Sequence, residues 1–415
     1  MHKFLPFSLA VSIVSLPLFA TNGDNFISLG VPSTGMGGTG IAHFSIGSSA
    51  TGNPALITAS KGGEFTFGGT YLAPSVKVTT SNTVGNDLTA SSDAKQNTTP
   101  YAALTHNLGN GFSVGGSMFG SAGMGTDWTQ GEGAINLPQV GLYSMKSSLT
   151  MLKISAPVAY QTGNWSFGAA PVMVFGTLEM SYISPPSEPI GERPASDTGF
   201  GLELGTLYHY SPLGLSVGAV YHSPISLTYE NQLSTVSSGF GYGGVGSNFA
   251  PFSDELEQPA EMGIGMDWTM GNISLSADYR NIRWGEAAGY KDFNWENQSV
   301  YAIGGEYRFE NLSVRCGYNY GKNPIKPNSD ISVVVGTVRN GDVINAFNHV
   351  MFPAITQRHY TLGAGYKFNK AVSADLAVVY ATSPEVTVSA SSVGLGDITV
   401  TNDQLSASAA FNVVF

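Results

Sequence analysis

Gly35-Met-Gly-Gly-Thr-Gly40 spells G-x-G-x-x-G, the glycine spacing with which dinucleotide-binding folds present backbone N–H groups to a pyrophosphate. That chemistry needs a strand before the first glycine, a helix after the last and an acidic residue about twenty positions on. Here Pro32 interrupts what precedes Gly35, serines and glycines follow, and Lys61 stands near the expected acid, with Glu64 slightly later. The Gly-Lys-Ser/Thr of a phosphate loop is missing too. Nucleophilic chemistry fares no better. His209 and His222 lie close to Ser211 and Ser223, without a recognisable nucleophile motif around either pair. The single cysteine, Cys316, cannot form an intramolecular disulfide and excludes cysteine metal clusters. These residues point to no enzyme and call for no cofactor or metal. Gly35, Gly37, Gly38 and Gly40 are expected to make turns leading to a further turn at Asn53-Pro54-Ala55.

The elements that position them follow from composition and period. Only 11% of the 415 residues are charged, against about 25% in ordinary soluble domains, while 52 are glycine, 19 tyrosine and 22 phenylalanine. Residues 1–20, MHKFLPFSLAVSIVSLPLFA, have the basic start, apolar centre and small final Ala20 of a secretory signal peptide. Beyond them no run of about twenty apolar residues occurs, which argues against a helical membrane protein. Without Lys3 the mature chain carries 29 acidic and 17 basic residues, a net charge of −12 that disfavours nucleic acid as a partner.

Period two dominates the rest. In the last strand Leu405, Ala407, Ala409, Phe411, Val413 and Phe415 share one face; Ile273–Arg280 and Thr361–Phe368 repeat the pattern. Short turns at Gly109-Asn110, Thr162-Gly163-Asn164, Ser211-Pro212, Gly271-Asn272, Glu310-Asn311 and Asn369-Lys370 alternate with long loops near 79–96, 121–147, 183–197, 230–256, 285–295, 321–353 and 383–402. Thirteen alternating connections predict an all-β fold, a 14-stranded antiparallel transmembrane β-barrel over 62–415, in the outer membrane of a Gram-negative bacterium. Phe415 resembles the terminal residue that such barrels offer to their assembly machinery. Lys153, Glu203, Asp267, Asp278, Arg280, Glu306, Arg308, Arg315, Lys367 and Asp375 all take the inward phase, and Cys316 the lipid-facing one.

Residues 21–61 do not alternate and are rich in glycine, serine and threonine, yet Phe26, Ile27, Leu29, Val31, Ile41, Phe44, Ile46, Leu56 and Ile57 are too many apolar residues for a solvated tail. A segment of this size can fold into the lumen as a hatch.

This stretch, with its glycine-rich run before Asn53-Pro54-Ala55, resembles the N-terminal hatch of FadL/TodX-type outer-membrane transporters. Segments such as GLSVGAVYHSPI (214–225) and LEQPAEMGIGMDWTMGNISLSADYRNIRW (256–284) extend the resemblance over most of the chain. It implies passive uptake of long-chain fatty acids or aromatic hydrocarbons by a monomer. The ligand enters by an apolar groove between extracellular loops, reaches a pocket near the hatch, and leaves sideways where the third strand kinks. The residues can bear such a path. Phe26 in the hatch and Phe240, Tyr242, Phe249 and Phe252 in the 230–256 loop offer aromatic contact, ordinary loop packing being the alternative for the latter four. Gly115, Gly116 and Gly120 in the third strand suit a bend or a closely packed hatch. Arg280, Arg308, Arg315 and Lys367, with Lys153, are the pool for a substrate carboxylate, pairing with Asp278, Glu306 or Asp375 being the competing role. A water-filled porin or a surface receptor is the alternative function.

Overall fold

The computed structural model describes residues 21–415 apart from 29, 47–48, 82–87, 130–142, 184–189, 192, 240–251, 329–333, 336–337 and 394–395. The expected signal peptide and Phe240, Tyr242 and Phe249 therefore lie outside the described residues. Alternating sequence becomes alternating burial, and the barrel strands are β1 Gly63–Thr80, β2 Asn97–Gly109, β3 Phe112–Asp127, β4 Tyr143–Ser155 continued by Val158–Thr162, and β5 Trp165–Ile183. They continue as β6 Ala195–Tyr210, β7 Leu215–His222, β8 Glu261–Met270, β9 Ile273–Ile282, β10 Gln298–Arg308, β11 Leu312–Gly321, β12 Arg358–Lys367, β13 Val372–Thr382 and β14 Asp397–Val414.

Each strand pairs antiparallel with the next, and β14 pairs with β1 from Ile398↔Thr80 to Val414↔Glu64, which closes the sheet. Phe415 seals the seam by exchanging backbone hydrogen bonds with Gly63 at 2.9 and 2.8 Å. Closure of the sheet on itself lets the strands pair their backbone polar groups at membrane depth with one another, save where the β2–β3 ladder stops short. Among the described residues no helix is long and apolar enough to cross a membrane; the strands do it. Outward positions carry Leu204, Ile264, Leu275, Ile303, Leu362 and Leu376, all exposed for contact with lipid. Rings collect at both borders of this band: Phe65, Phe67, Phe368 and Phe411 beside the short turns, and the pairs Tyr279–Tyr301 and Tyr318–Tyr360 nearer the long loops. Two aromatic girdles flanking an apolar band are what a membrane-embedded barrel presents. Cys316 faces outward and is exposed.

The strands outrun the expected loop borders on the long-loop side, β3 reaching Asp127 and β14 beginning at Asp397. Beyond lipid both faces of a strand can be polar, so the ladder continues where the hydrophobic period has stopped. The 321–353 stretch, expected as a loop, contains helix α2, Asn340–Met351. Its buried Phe347 and Val350 join Trp128, Tyr229, Trp284 and Trp295 in a large apolar cluster over the long-loop mouth. The carbonyl of Val350, at the helix end, accepts from Thr126 Oγ1 at 2.7 Å and Trp128 Nε1 at 2.9 Å, so the end of β3 and the residue after it satisfy a C-terminal helix carbonyl. Substituting Trp128 by Phe keeps most of the ring and removes this donor. We expect it to cost about 1–2 kcal/mol of local stability, measured as faster amide exchange across 345–352.

Candidate functional site

The segment 21–61 lies within the barrel, nearly all of it buried. Its turns press on inward-facing glycines of the wall. A Cβ at Gly304 would meet the Met36 Cβ at 2.7 Å, and one at Gly317 would overlap the Met36–Gly37 peptide. The wall is thus cut to the segment.

The Gly35–Gly40 run makes its turn at two glycines only. Gly37 and Gly38 have φ of +73° and +84°, a region that costs other residues strain. Gly35 instead ends the short helix α1, Val31–Gly35, and Gly40 stands outside the positive-φ region, so the expectation of four turn-makers is corrected to two. Its backbone donors do bind an anion, but one from the wall: Asp278 Oδ2 on β9 accepts from Gly40 N at 2.8 Å and Ile41 N at 3.0 Å. Arg280, two residues along, donates to Gly38 O at 3.0 Å. Thr361 and Asn319 complete the hold, Thr361 Oγ1 accepting from Gly37 N at 2.9 Å and Asn319 Nδ2 donating to Gly37 O at 3.1 Å.

Asn53-Pro54-Ala55 begins a 3₁₀ helix over Pro54–Ala59. Proline is pre-set for the first helical position and asparagine for the cap before it. Asn53 Oδ1 accepts from Ala55 N at 2.9 Å, while its Nδ2 donates to Ile41 O at 2.7 Å and to Thr206 O of β6 at 3.3 Å. One fully buried side chain therefore caps a helix, ties it to the glycine turn and fastens both to the wall. Asn53→Ala leaves those carbonyls unpaired, with an expected cost of about 2–3 kcal/mol in seating the segment. Amide exchange at Ala55 and Leu56 checks it.

Among the cavities beside the segment, two share Phe26. The first, about 90 Å³, is lined by Phe26, Ile41, Ser121, Val174 and Ile225 together with Lys153, His222, Glu261 and Arg280. The second, about 40 Å³, is lined by Phe26, Val31, Tyr101, Phe119, Gly120 and Val379. The second cavity reaches the place where the wall is incomplete. The β2–β3 ladder ends at Tyr101↔Phe119, although β2 stays paired with β1 through Asn97 and β3 with β4 through Asp127. Pro100, next in line, has no N–H to offer. Across from it β3 carries a register shift between Gly120 and Ala122. Asn25 pairs with Ala122 there, and Gly123 N donates to Asp24 O at 3.0 Å. The N-terminal segment takes the hydrogen-bonding place that β2 vacates. Of the glycines named for a bend, Gly120 lies at this break, while Gly115 and Gly116 remain in the regular ladder opposite Thr105 and Leu104.

The basic pool is largely engaged by acids. Arg315 bonds Glu306 and Asp375 at 2.9 and 2.6 Å, Arg308 bonds Glu306 at 2.6 Å, and Lys153 pairs with Glu203. Lys367 is exposed at the short-turn end with Arg308 and Arg315 nearby. Arg280 is different: its carboxylates Asp278 and Glu261 stand 3.7 and 3.8 Å away, beyond hydrogen-bond reach, and it faces the first cavity. Phe252 is half-buried against Phe293 and Phe347, at 4.9 and 5.7 Å between rings. The histidines considered for chemistry are spoken for: His209 Nδ1 lies 2.9 Å from Ser216 Oγ and His222 Nε2 3.3 Å from Gly52 O.

Sequence reasoning missed Asp24, the only acidic residue in 21–61. It is fully buried, accepts from Tyr290 Oη of the loop after β9, and burial pushes its carboxyl up to about 7. A lone acid in a stretch whose other charged side chain is the terminal Lys61 was the available sign.

A closed fourteen-stranded barrel with lipid-facing rings, a lumen filled by its own N-terminal segment and cavities ending at a break in the wall defines an outer-membrane β-barrel of the transport class. Residues 27–337 match the sequence model of the outer membrane protein transport protein family (OMPP1/FadL/TodX), and the chain belongs to that family. It is 21% identical to outer membrane protein P1 of Haemophilus influenzae, over 93% of this chain and 92% of that one. It is 22% identical to the long-chain fatty acid transport protein of Escherichia coli O6:H1, over 66% and 71% respectively. Its fold is similar to a Pseudomonas aeruginosa FadL homologue, with TM-score 0.68 and 16% identity over 95% of this chain and 100% of that one. It is also similar to the P. putida toluene transporter TodX, with TM-score 0.65 and 18% identity over 94% and 99%.

Proposed function

We propose that this protein takes up hydrophobic molecules, fatty acids or related hydrocarbons, across the outer membrane without an energy source, and passes them sideways through its wall. The observation that carries this is the pair of cavities meeting at Phe26 and ending at the unpaired stretch of β2 and β3. Moving apolar surface through water is unfavourable, so a lined path that ends in lipid suits such a cargo better than an open aqueous pore. A packed lumen disfavours a porin. Family membership, with relatives named for long-chain fatty acid transport and toluene transport, supports the same cargo class. On this reading residues 21–61 are a hatch, Asn53, Pro54 and Ala55 with the glycine turn its seat, and the chain is a non-catalytic monomer inserted by the barrel-assembly machinery.

Sealing the break tests the exit. A Cβ at Gly120 would stand 2.9 Å from Thr99 Cβ, so T99C with G120C can form a cross-wall disulfide after a small outward give. In a C316S background, oxidation is expected to lower uptake of a fluorescent fatty acid about tenfold, corresponding to about 1.4 kcal/mol, with recovery on reduction. Unaltered uptake in the cross-linked protein would rule out this route.

A further inference from the structure

Three backbone atoms of the glycine turn are held by two residues of one strand. Asp278, its side chain buried, takes the N–H groups of Gly40 and Ile41, and Arg280 donates to Gly38 O. A guanidinium has five N–H donors in a fixed fork. Among the described residues Arg280 hydrogen-bonds the segment, while Glu261 and Asp278 stay at 3.8 and 3.7 Å and Glu261 Oε1 is buried without a hydrogen-bond partner. Arg280, Gly40 and Ile41 also line the first cavity, as do Phe26 and Lys153. The cation that fastens the turn is therefore the cation a ligand there would meet. Lys153 is less available, being engaged by Glu203.

We infer that Asp278 and Arg280 form a latch on the Gly38–Ile41 turn, and that an amphiphile with an anionic head releases it by drawing Arg280 away from Gly38. Arg280 is a positioning residue in the closed state and a specificity-determining one during uptake. Carboxylates accept two parallel hydrogen bonds from a guanidinium, which a single peptide carbonyl cannot match. A neutral hydrocarbon occupies the same cavity without this effect. The inference rests on the proposed function in one respect: the cavity must hold the cargo.

Amide exchange of the peptide containing Gly40 and Ile41, in the full-length protein in detergent, reads the latch directly. D278A and R280M are expected to speed that exchange at least about tenfold, D278N and R280K less, and K146Q, which loses only the Lys146–Glu179 wall pair, not at all. Barrel assembly is confirmed by heat-dependent gel mobility, and D278N and R280K carry the test if the larger changes do not assemble. Laurate at saturation should speed exchange in the wild type but not further in R280M, and methyl laurate should leave the wild type unaltered. Wild-type exchange rates in D278A and D278N would overturn the latch. Equal responses to laurate and methyl laurate, or a full laurate response in R280M, would overturn release through Arg280. If laurate frees the turn but is not taken up by cells, the latch stands and the proposed function fails.

Discussion

Deleting Asn53, Pro54 and Ala55 is expected to reduce uptake of a hydrophobic probe about a hundredfold while the barrel still assembles, an effect of about 3 kcal/mol on the transport step. Assembly survives because the seam between β14 and β1, the neighbouring ladders and the lipid-facing side chains involve none of these residues. Seating does not survive. The deletion removes the cap on the 3₁₀ helix and the bonds from Asn53 to Ile41 O and Thr206 O, and shortens the chain between the glycine turn and β1. The wall offers an independent approach to the same state. A Cβ at Gly205 would stand 2.9 Å from Pro54 Cδ and overlap Asn53, so Gly205→Leu should unseat the segment from the other side. Both variants should show a steady bilayer conductance absent from the wild type. Unchanged uptake with an assembled barrel would remove any gating role for this motif.

The barrel was legible in the sequence because lipid on one side and a packed lumen on the other impose period two on every strand. The inward phase of Asp267, Asp278, Glu306, Arg315 and Asp375 follows from that period, and all five are buried. Asn53-Pro54-Ala55 was legible as a turn and by its resemblance, whereas its role as the cap of a 3₁₀ helix emerged only in the structure. What period cannot encode is a contact between distant elements. That Gly40 donates to Asp278 depends on 238 residues of intervening topology, and nothing at either position marks the other. Helix α2 was missed for a related reason: its polar residues Asp342, Asn345, Asn348 and His349 are buried under the loop cluster, and the loop partners of the first three leave no mark on the helix sequence. The break between β2 and β3 was half legible. Glycines marked β3, but the side on which pairing fails is set by Pro100 in β2 and by Asn25 arriving from the N-terminal segment.

Asp24 should make seating of the N-terminus depend strongly on pH. Four contacts meet there: Tyr290 Oη donates to Asp24 Oδ2, Gly123 N to Asp24 O, Gly23 lies on the Trp284 ring, and Asn25 pairs with Ala122. Burial raises its carboxyl from near 3.8 to about 7, against the opposing pull of hydrogen bonds from Tyr290 and Gln258. The phenols that face it, Tyr290 and Tyr229, are both held above their ordinary range, first by burial and then by the Asp24 charge. In a withdrawn segment the acid returns to its ordinary value, so the seated state binds the proton more tightly. Seating is then favoured below about pH 4, weakens as pH rises between 4 and 7, and levels off above 7, a span of about 4 kcal/mol. Between pH 5 and pH 8 the seating equilibrium should fall on the order of a hundredfold, read as intrinsic-rate-corrected amide exchange over 21–28. Asp24→Asn should flatten that profile, and an unaltered slope in this variant would exclude Asp24 as its origin. His349 in α2 must be separated from it, because burial lowers its pKa to about 4 against an opposing bond to Asn345 O. Its neutral form is the one the apolar cluster accommodates, so its contribution is intact above about pH 6.5 and is lost as pH falls toward 4. Acid therefore loosens the cap over the long-loop mouth while it tightens the N-terminus beneath. Exchange over 340–352 should rise between pH 6.5 and 4 where exchange over 21–28 declines, and His349→Gln should abolish only the former.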